Sequence, residues 1–245
     1  MKEILKKIYI KIFLKDPNDE CRQDWIQKTL KEIPNGYTLL DAGAGEQRHK
    51  VHCSHLKYIS QDVCEYEGKG DGHGLQTGIW DTSKIDIVSD ILSIPLNNGS
   101  VDVILCSEVL EHVPDPAKVI IEFQRLLKPG GKLIITAPFS SMVHFAPYHY
   151  STGFSKYWYE FHLANQGFSI IELIPNGDWF SYSKQELNRL GSMSKKYNDS
   201  FWPLAYLLSW ITNLYFIIRS KKSKASDFGC FGWQCLAEKI NNDNK

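Results

Sequence analysis

Along residues 37–138, short runs of apolar and β-branched residues recur between breaks marked by glycine, proline and aspartate, the pattern of buried strands joined by turns. Thr38-Leu39-Leu40 predicts the end of a first strand, running into Asp41 and the glycines Gly43 and Gly45 at a sharp strand-to-helix turn. Residues 58–62 predict a second strand, 85–95 a third, and 101–106 a fourth that leads into a loop and helix carrying Ser107, Glu108, Glu111 and His112. Asp115-Pro116 reads as the N-cap and first residue of a helix with Val119, Phe123, Leu126 and Leu127 on one face. Pro129-Gly130-Gly131 then marks a turn before a fifth strand ending at Pro138, and residues 168–174 and 231–238 read as the last two strands. Upstream, residues 1–15 predict a basic amphipathic helix with Ile4, Leu5, Ile8 and Ile12 on one side, and a second helix is expected near 19–32 before the Pro34-Asn35-Gly36 turn. Residues 64–84, with five glycines at 68, 70, 72, 74 and 78, read as a loop.

The first turn carries chemistry. Glycines there let the backbone approach a bound molecule closely, and Asp62 ends the next strand about twenty residues on, where α/β folds hold a ribose. A carboxylate accepts hydrogen bonds from both ribose hydroxyls, so the pair of signals points to a nucleoside cofactor. A dinucleotide fingerprint needs a third glycine, but Arg48 stands in that place, and Asp41 and Glu46 flank the loop. Two carboxylates repel a pyrophosphate and suit a cation, which fits S-adenosylmethionine, a sulfonium and ammonium with no phosphate.

Taken in order, the glycine turn, Asp62, the 85–95 run, Cys106-Ser107-Glu108-Val-Leu-Glu111-His112 and Leu126-Leu-Lys-Pro129-Gly130-Gly131 resemble the class I S-adenosylmethionine-dependent methyltransferases of the type 11 group, from about Tyr37 to Pro138. The stretch after it resembles methyltransferases of bacterial polysaccharide and glycan gene clusters. The resemblance implies an α/β Rossmann-like three-layer sandwich with a seven-stranded, mostly parallel sheet and an antiparallel last strand. It implies an N-terminal helical segment (1–36), a methyltransferase domain (37–245) and a helical insertion at about 178–228. The cofactor residues it implies are Asp41, Gly43, Gly45, Asp62, Asp90 and Ile91 at the adenine, and Ser107 at the methionine end. It also implies methyl transfer, by O-methylation, to a small-molecule or glycan-type acceptor, the alternative being a non-catalytic S-adenosylmethionine-binding adaptor that keeps the fold.

For catalysis, His112 follows the fourth strand at the ligand-collecting edge of the sheet, as a base or as a group that shapes the site. His144 and His149 lie in a segment rich in aromatics after the fifth strand and are the candidates to touch the acceptor, with Thr77 and Trp80 expected on the opposite wall. Glu108 and Glu111 read as a helix-start pair favouring the positive end of the dipole. His49, His52, Cys53 and His55 crowd one segment, and His49 and Cys53 stand one helical turn apart, spacing that suits zinc. The simpler reading is a polar helix after the cofactor loop, so no metal is assigned.

Lysine plus arginine equals aspartate plus glutamate at 28 each, so no overall field recruits nucleic acid. Six cysteines without a CxxC pair, and no signal peptide, point to a cytoplasmic enzyme with reduced thiols. In the insertion Leu204, Leu207, Leu208, Ile211, Tyr215 and Ile218 fall at helical spacing, followed by Arg219, Lys221, Lys222 and Lys224. Such a stripe packs on its own domain, on a second copy as a homodimer, or lies peripherally on the inner membrane face.

Overall fold

The structure, a computed structural model, describes residues 17–220 and 225–241. The basic helix expected at residues 1–15, and Lys221, Lys222 and Lys224, lie outside the described residues. The elements are α1 (Pro17–Lys31), β1 (Thr38–Ala42), β2 (Lys57–Asp62), β3 (Ile87–Val88), β4 (Val101–Ser107), α2 (Pro116–Leu126), β5 (Leu127–Pro138), α3 (Lys156–Asn165), β6 (Phe168–Asn176), α4 (Trp179–Lys196), α5 (Trp202–Ser220) and β7 (Gly232–Lys239). The strands form one seven-stranded sheet in the order β3-β2-β1-β4-β5-β7-β6. β3, β2, β1, β4 and β5 are parallel and β7 pairs antiparallel with β5, the Rossmann-like arrangement expected from the sequence.

Parallel central strands are buried on both faces, so they need continuous rather than alternating apolar residues. Leu39 and Leu40 of β1 and Val103–Cys106 of β4 meet that demand, all fully buried. α1 covers one face with Ile26 and Leu30, which pack with Leu39, Val103, Leu105 and Ile134. α2 begins as the sequence predicts: the Asp115 side chain accepts from the Lys118 N–H, and Pro116 fills the first turn. Its buried face is Val119, Ile120, Phe123 and Leu126.

The polar edge of α2 fixes a loop. Arg125 donates to the Ile94 and Leu96 carbonyls at 2.9 and 2.8 Å and forks onto Glu122, which in turn accepts from the Ile94 N–H at 2.8 Å. This holds the segment that follows Asp90. Lysine keeps the charge but loses the fork, so Arg125→Lys is expected to cost about 1–3 kcal/mol of stability in urea unfolding. A loss within experimental error would show that the loop holds its own shape.

Four details depart from expectation. The third strand is two residues long, because Asp86 turns its carboxylate to the Ser60 N–H and hydroxyl, and Asp90 caps the Leu92 N–H. No α-helix follows the glycine turn: Gln47 adopts a left-handed backbone (φ 57), and only a 3-10 turn at Lys50–His52 forms. That region lacks the apolar periodicity that would have docked a helix. Glu111 opens no helix either, since β4 leads into a 3-10 turn (Leu110–His112) in which Glu111 is fully buried. Finally, α3 was not legible, and residues 178–228 contain two helices rather than one.

The chain divides into two compact units: Arg22–Ile174 with Gly232–Lys245, and Met1–Cys21 with Pro175–Phe231. In the smaller unit, α4 and α5 pack through small and polar residues. The Ser209 hydroxyl donates to the Leu187 carbonyl at 2.7 Å, Asn213 bonds Asn188, and a Cβ at Gly191 would collide with the Tyr206 ring. Six large apolar side chains of α5, Leu204, Leu207, Leu208, Trp210, Ile211 and Tyr215, are each about half exposed, while Phe216 is buried.

In the larger unit, the glycine-rich loop 64–84 zips onto loop 139–154. Leu75 N–H donates to the Val143 carbonyl, Phe145 N–H to the Leu75 carbonyl and Asp71 N–H to the Ala146 carbonyl, each at 3.0 Å. The backbones come so close that a Cβ at Gly70 or Gly74 would run into the Ala146 or Val143 carbonyl oxygen.

Candidate active site

At the carboxyl ends of β1, β2 and β4 lies a cavity of about 650 Å³, within the range of small-molecule sites. Asp41, Gly43, Gly45, Asp62, Asp90, Ile91 and Ser107, drawn from four stretches of sequence, all line it. Asp62 organises the glycine turn: its carboxylate accepts from the Gly45 N–H at 2.9 Å and the Cys64 N–H at 2.8 Å. Asp41 is buried and accepts from the Tyr58 hydroxyl at 2.6 Å. Burial pushes its carboxyl up to about 7, the Tyr58 hydrogen bond opposes the shift, and the Asp62 charge adds to it.

A polar chain runs beside Ser107. Its hydroxyl meets that of Thr136 at 2.9 Å, Thr136 donates to Glu108 Oε1 at 3.0 Å, and Arg22 holds Glu108 Oε2 at 2.9 Å. Burial raises the Glu108 carboxyl, and the Arg22 guanidinium works against it.

The other end is aromatic. Tyr66 stacks on Phe145 at 4.5 Å between ring centres, Phe145 stacks on His112 at 5.0 Å, and Trp80 meets Tyr66 and Phe145 edge-on. Trp80, Thr77, Tyr148 and Tyr150 complete this wall. His112 offers the cavity its ring rather than a nitrogen. Its Nδ1 faces the Tyr148 carbonyl, and its Nε2 is buried and turned toward Glu111 Oε1, 3.7 Å away. His144 and His149 do not line the cavity; they gather behind it with His112, the three offering ligand atoms within 4.8 Å of one another.

Burial acts on all four groups of that cluster. It lowers His112 and His149, whereas His144 ends up raised because its contact with Glu111 and its bond to the Met142 carbonyl outweigh burial. Burial also works to raise Glu111, but the neighbouring histidines carry it below the usual carboxylate range. The His49–Cys53 pair forms no such cluster, since the Cys53 thiol donates to the His49 carbonyl at 3.4 Å. Sequence reasoning missed Tyr58, Arg22 and the central place of Glu111. The only sequence signal for the last was its adjacency to His112.

Residues 40–135 match the methyltransferase domain family. The methyltransferase domain so marked runs from β1 to β5 and contains all seven residues that the sequence led us to expect at a cofactor. Over 122 residues the chain is 42% identical to the ubiquinone biosynthesis O-methyltransferase of Xylella fastidiosa (strain M23), covering 47% of this chain and 46% of that protein. It is 42% identical over 64 residues to the protein of the same description from Xanthomonas oryzae pv. oryzae (strain PXO99A), 26% of each. The chain thus spans half or less of the length of these curated relatives. In fold it is similar to a SAM-dependent methyltransferase from Archaeoglobus fulgidus (TM-score 0.57, 15% identity, 96% of this chain and 99% of that one). It is also similar to the [4+2]-cyclase SpnF (TM-score 0.54, 17% identity, 89% and 80%). The family model thus marks a methyltransferase domain within the chain, and the solved structures share its fold.

Proposed function

We propose that the chain binds S-adenosylmethionine and transfers its methyl group to a hydroxyl of a small-molecule or glycan-type acceptor. The observation that carries this is the convergence on one cavity of all seven expected cofactor residues, each within the matched domain. In this reading Asp62 takes the ribose hydroxyls, Asp90 and the Ile91 backbone take the adenine, and Asp41, Gly43, Gly45 and Ser107 border the methionine part. The aromatic wall of Phe145, Tyr148 and Tyr150 receives the acceptor. Transfer to oxygen is supported by the O-methyltransferases that the chain is similar to. Methyl transfer is an in-line displacement, so the wall contributes chiefly by holding oxygen, methyl carbon and sulfur collinear.

The test is calorimetric titration with S-adenosylmethionine and S-adenosylhomocysteine, with NAD as control. Micromolar binding of the first two and none of NAD is expected; no binding of either would overturn the proposal. Binding without transfer to any phenol, sugar or lipid-linked hydroxyl would favour a non-catalytic binding protein, a reading kept alive by the likeness to a cyclase, because fold alone does not dictate chemistry.

The proposal extends to location: a cytoplasmic enzyme in peripheral contact with a membrane surface. No helix among the described residues is long and apolar enough to cross a membrane, but the outward apolar face of α5 suits an interface, and Lys221, Lys222 and Lys224 follow it in sequence. The protein is expected to float with anionic vesicles and Leu207→Glu with Trp210→Glu to abolish flotation. Failure to float, with a dimer by light scattering that the same variant dissociates, would give the face to a homodimer instead.

A further inference from the structure

Behind the aromatic wall, Glu111 and three histidines enclose a small polar space with too few hydrogen bonds. Both Glu111 carboxylate oxygens, His112 Nε2 and both His149 ring nitrogens are buried with no hydrogen-bond partner. Orphaned buried polar atoms are costly, and native interiors rarely keep them in such numbers without something between them.

The orientation of the rings says what that something is. His112 Nδ1 faces the Tyr148 carbonyl and His144 Nδ1 faces the Met142 carbonyl at 2.9 Å. A carbonyl only accepts, so each Nδ1 carries a proton, and in the neutral ring each Nε2 keeps a lone pair. Both Nε2 atoms point at the same oxygen, Glu111 Oε1, at 3.7 and 3.8 Å, beyond hydrogen-bond reach. Two such lone pairs converging on a carboxylate repel unless a cation lies among them, and neither contact is short enough for a shared proton. A histidine whose far nitrogen donates to a backbone carbonyl is also how proteins orient metal-binding imidazoles.

We propose that His112, His144, His149 and Glu111 form a binding site for one divalent transition-metal ion of the zinc type. Three imidazoles and one carboxylate favour such an ion over magnesium, which takes oxygen ligands. Ligands around a tetrahedral zinc, at 2.0–2.1 Å from the metal, stand about 3.3–3.4 Å apart. The two contacts to Glu111 Oε1 are a few tenths of an ångström wider, and the ligand atoms of the three histidines lie within 4.8 Å of one another, so binding an ion would draw these side chains toward a common centre. Four protein ligands leave no open position. The ion is structural: it ties loop 139–154 to the end of β4 and sets the wall that His112 and Phe145 present to the cavity.

The experiment uses the full chain without a histidine tag. Metal content is measured as purified, and the chelator-treated protein is titrated with cobalt(II) as a coloured stand-in for zinc, then with zinc in thermal unfolding. The expected result is one ion per chain, the visible bands of four-coordinate cobalt with no thiolate charge-transfer band, and a Tm raised by zinc by about 5 °C or more. His149→Ala and, as a near-isosteric check that keeps the fold, Glu111→Gln should each lose saturable binding, while Cys53→Ser keeps it. Titration with S-adenosylhomocysteine runs in parallel on chelator-treated protein, so failure of the cofactor reading is seen separately. Featureless cobalt titrations with no bound metal, thiolate bands lost in Cys53→Ser, or unchanged binding by both His149→Ala and Glu111→Gln would each overturn the proposal.

Discussion

Asp62→Ala is expected to weaken binding of S-adenosylhomocysteine by about a hundredfold or more. Two effects combine. The carboxylate is the proposed partner of both ribose hydroxyls, and hydrogen bonds to a charged group contribute about 1.5–3 kcal/mol each. The same carboxylate holds the Gly45 and Cys64 N–H groups, so its removal also frees the turn that the ligand must meet in one shape. Asp62→Asn separates the two effects poorly but usefully: its amide nitrogen must face one of those N–H groups or the ribose, so it should bind nearly as weakly as alanine. Calorimetry alongside circular dichroism checks this, and full affinity in either folded variant would remove Asp62 from the site.

The second large effect concerns pH. With its carboxyl pushed up to about 7 from a model-peptide value near 4, Asp41 is protonated in the folded chain across a range where the unfolded chain has already ionised. The folded state therefore binds more protons there. The stabilisation is complete below pH 4 and is lost as pH rises through about 7. In Asp41→Asn that slope disappears, while the Tyr58 hydroxyl keeps an oxygen to bond. Between pH 4 and pH 8 the stability difference between wild type and Asp41→Asn should change by on the order of 3 kcal/mol, the variant gaining relative to wild type at the high end. Urea unfolding across that range reads it directly; parallel curves for the two proteins would mean that Asp41 ionises normally. A cationic ligand beside Asp41 favours the carboxylate, so S-adenosylmethionine binding near pH 7 should release a fraction of a proton, visible as a binding enthalpy that changes with the buffer.

What the chain revealed in advance follows from how locally each feature is encoded. Leu39-Leu40 and 101–106 are continuous apolar runs ended by turn residues, and such runs leave a buried strand little alternative. Asp115-Pro116 carries its own start signal, and Asp62 its distance from the glycine turn. By contrast, the short β3 depends on Asp86 finding Ser60, 26 residues earlier, and no window around Asp86 contains that partner. Gln47 turns left-handed without being a glycine, so the missing helix had no local mark. The seven residues expected at a cofactor could be read as one group because they sit at strand ends in a fixed order, and they do line one cavity. His112, His144 and His149 were each singled out, but their meeting around Glu111 depends on how loop 139–154 folds back, which spacing does not encode. In α5 the apolar stripe was visible, yet only the structure shows that the helix packs through Ser209 and Asn213 and leaves Leu204, Leu207, Leu208, Ile211 and Tyr215 facing out.

The reciprocal bonds between loops 64–84 and 139–154 have a kinetic consequence. Leu75 both gives to Val143 and receives from Phe145, and Tyr66 and Phe145 stack across the same seam. Neither loop can swing away while the other stays, because each would strand main-chain groups that its partner satisfies. Access to the aromatic end of the cavity is therefore a joint event, with both loops opening as one flap. Such gating makes the observed association rate level off at high ligand concentration, at the opening rate itself, and that plateau is shared by every ligand that enters from this side, whatever its affinity.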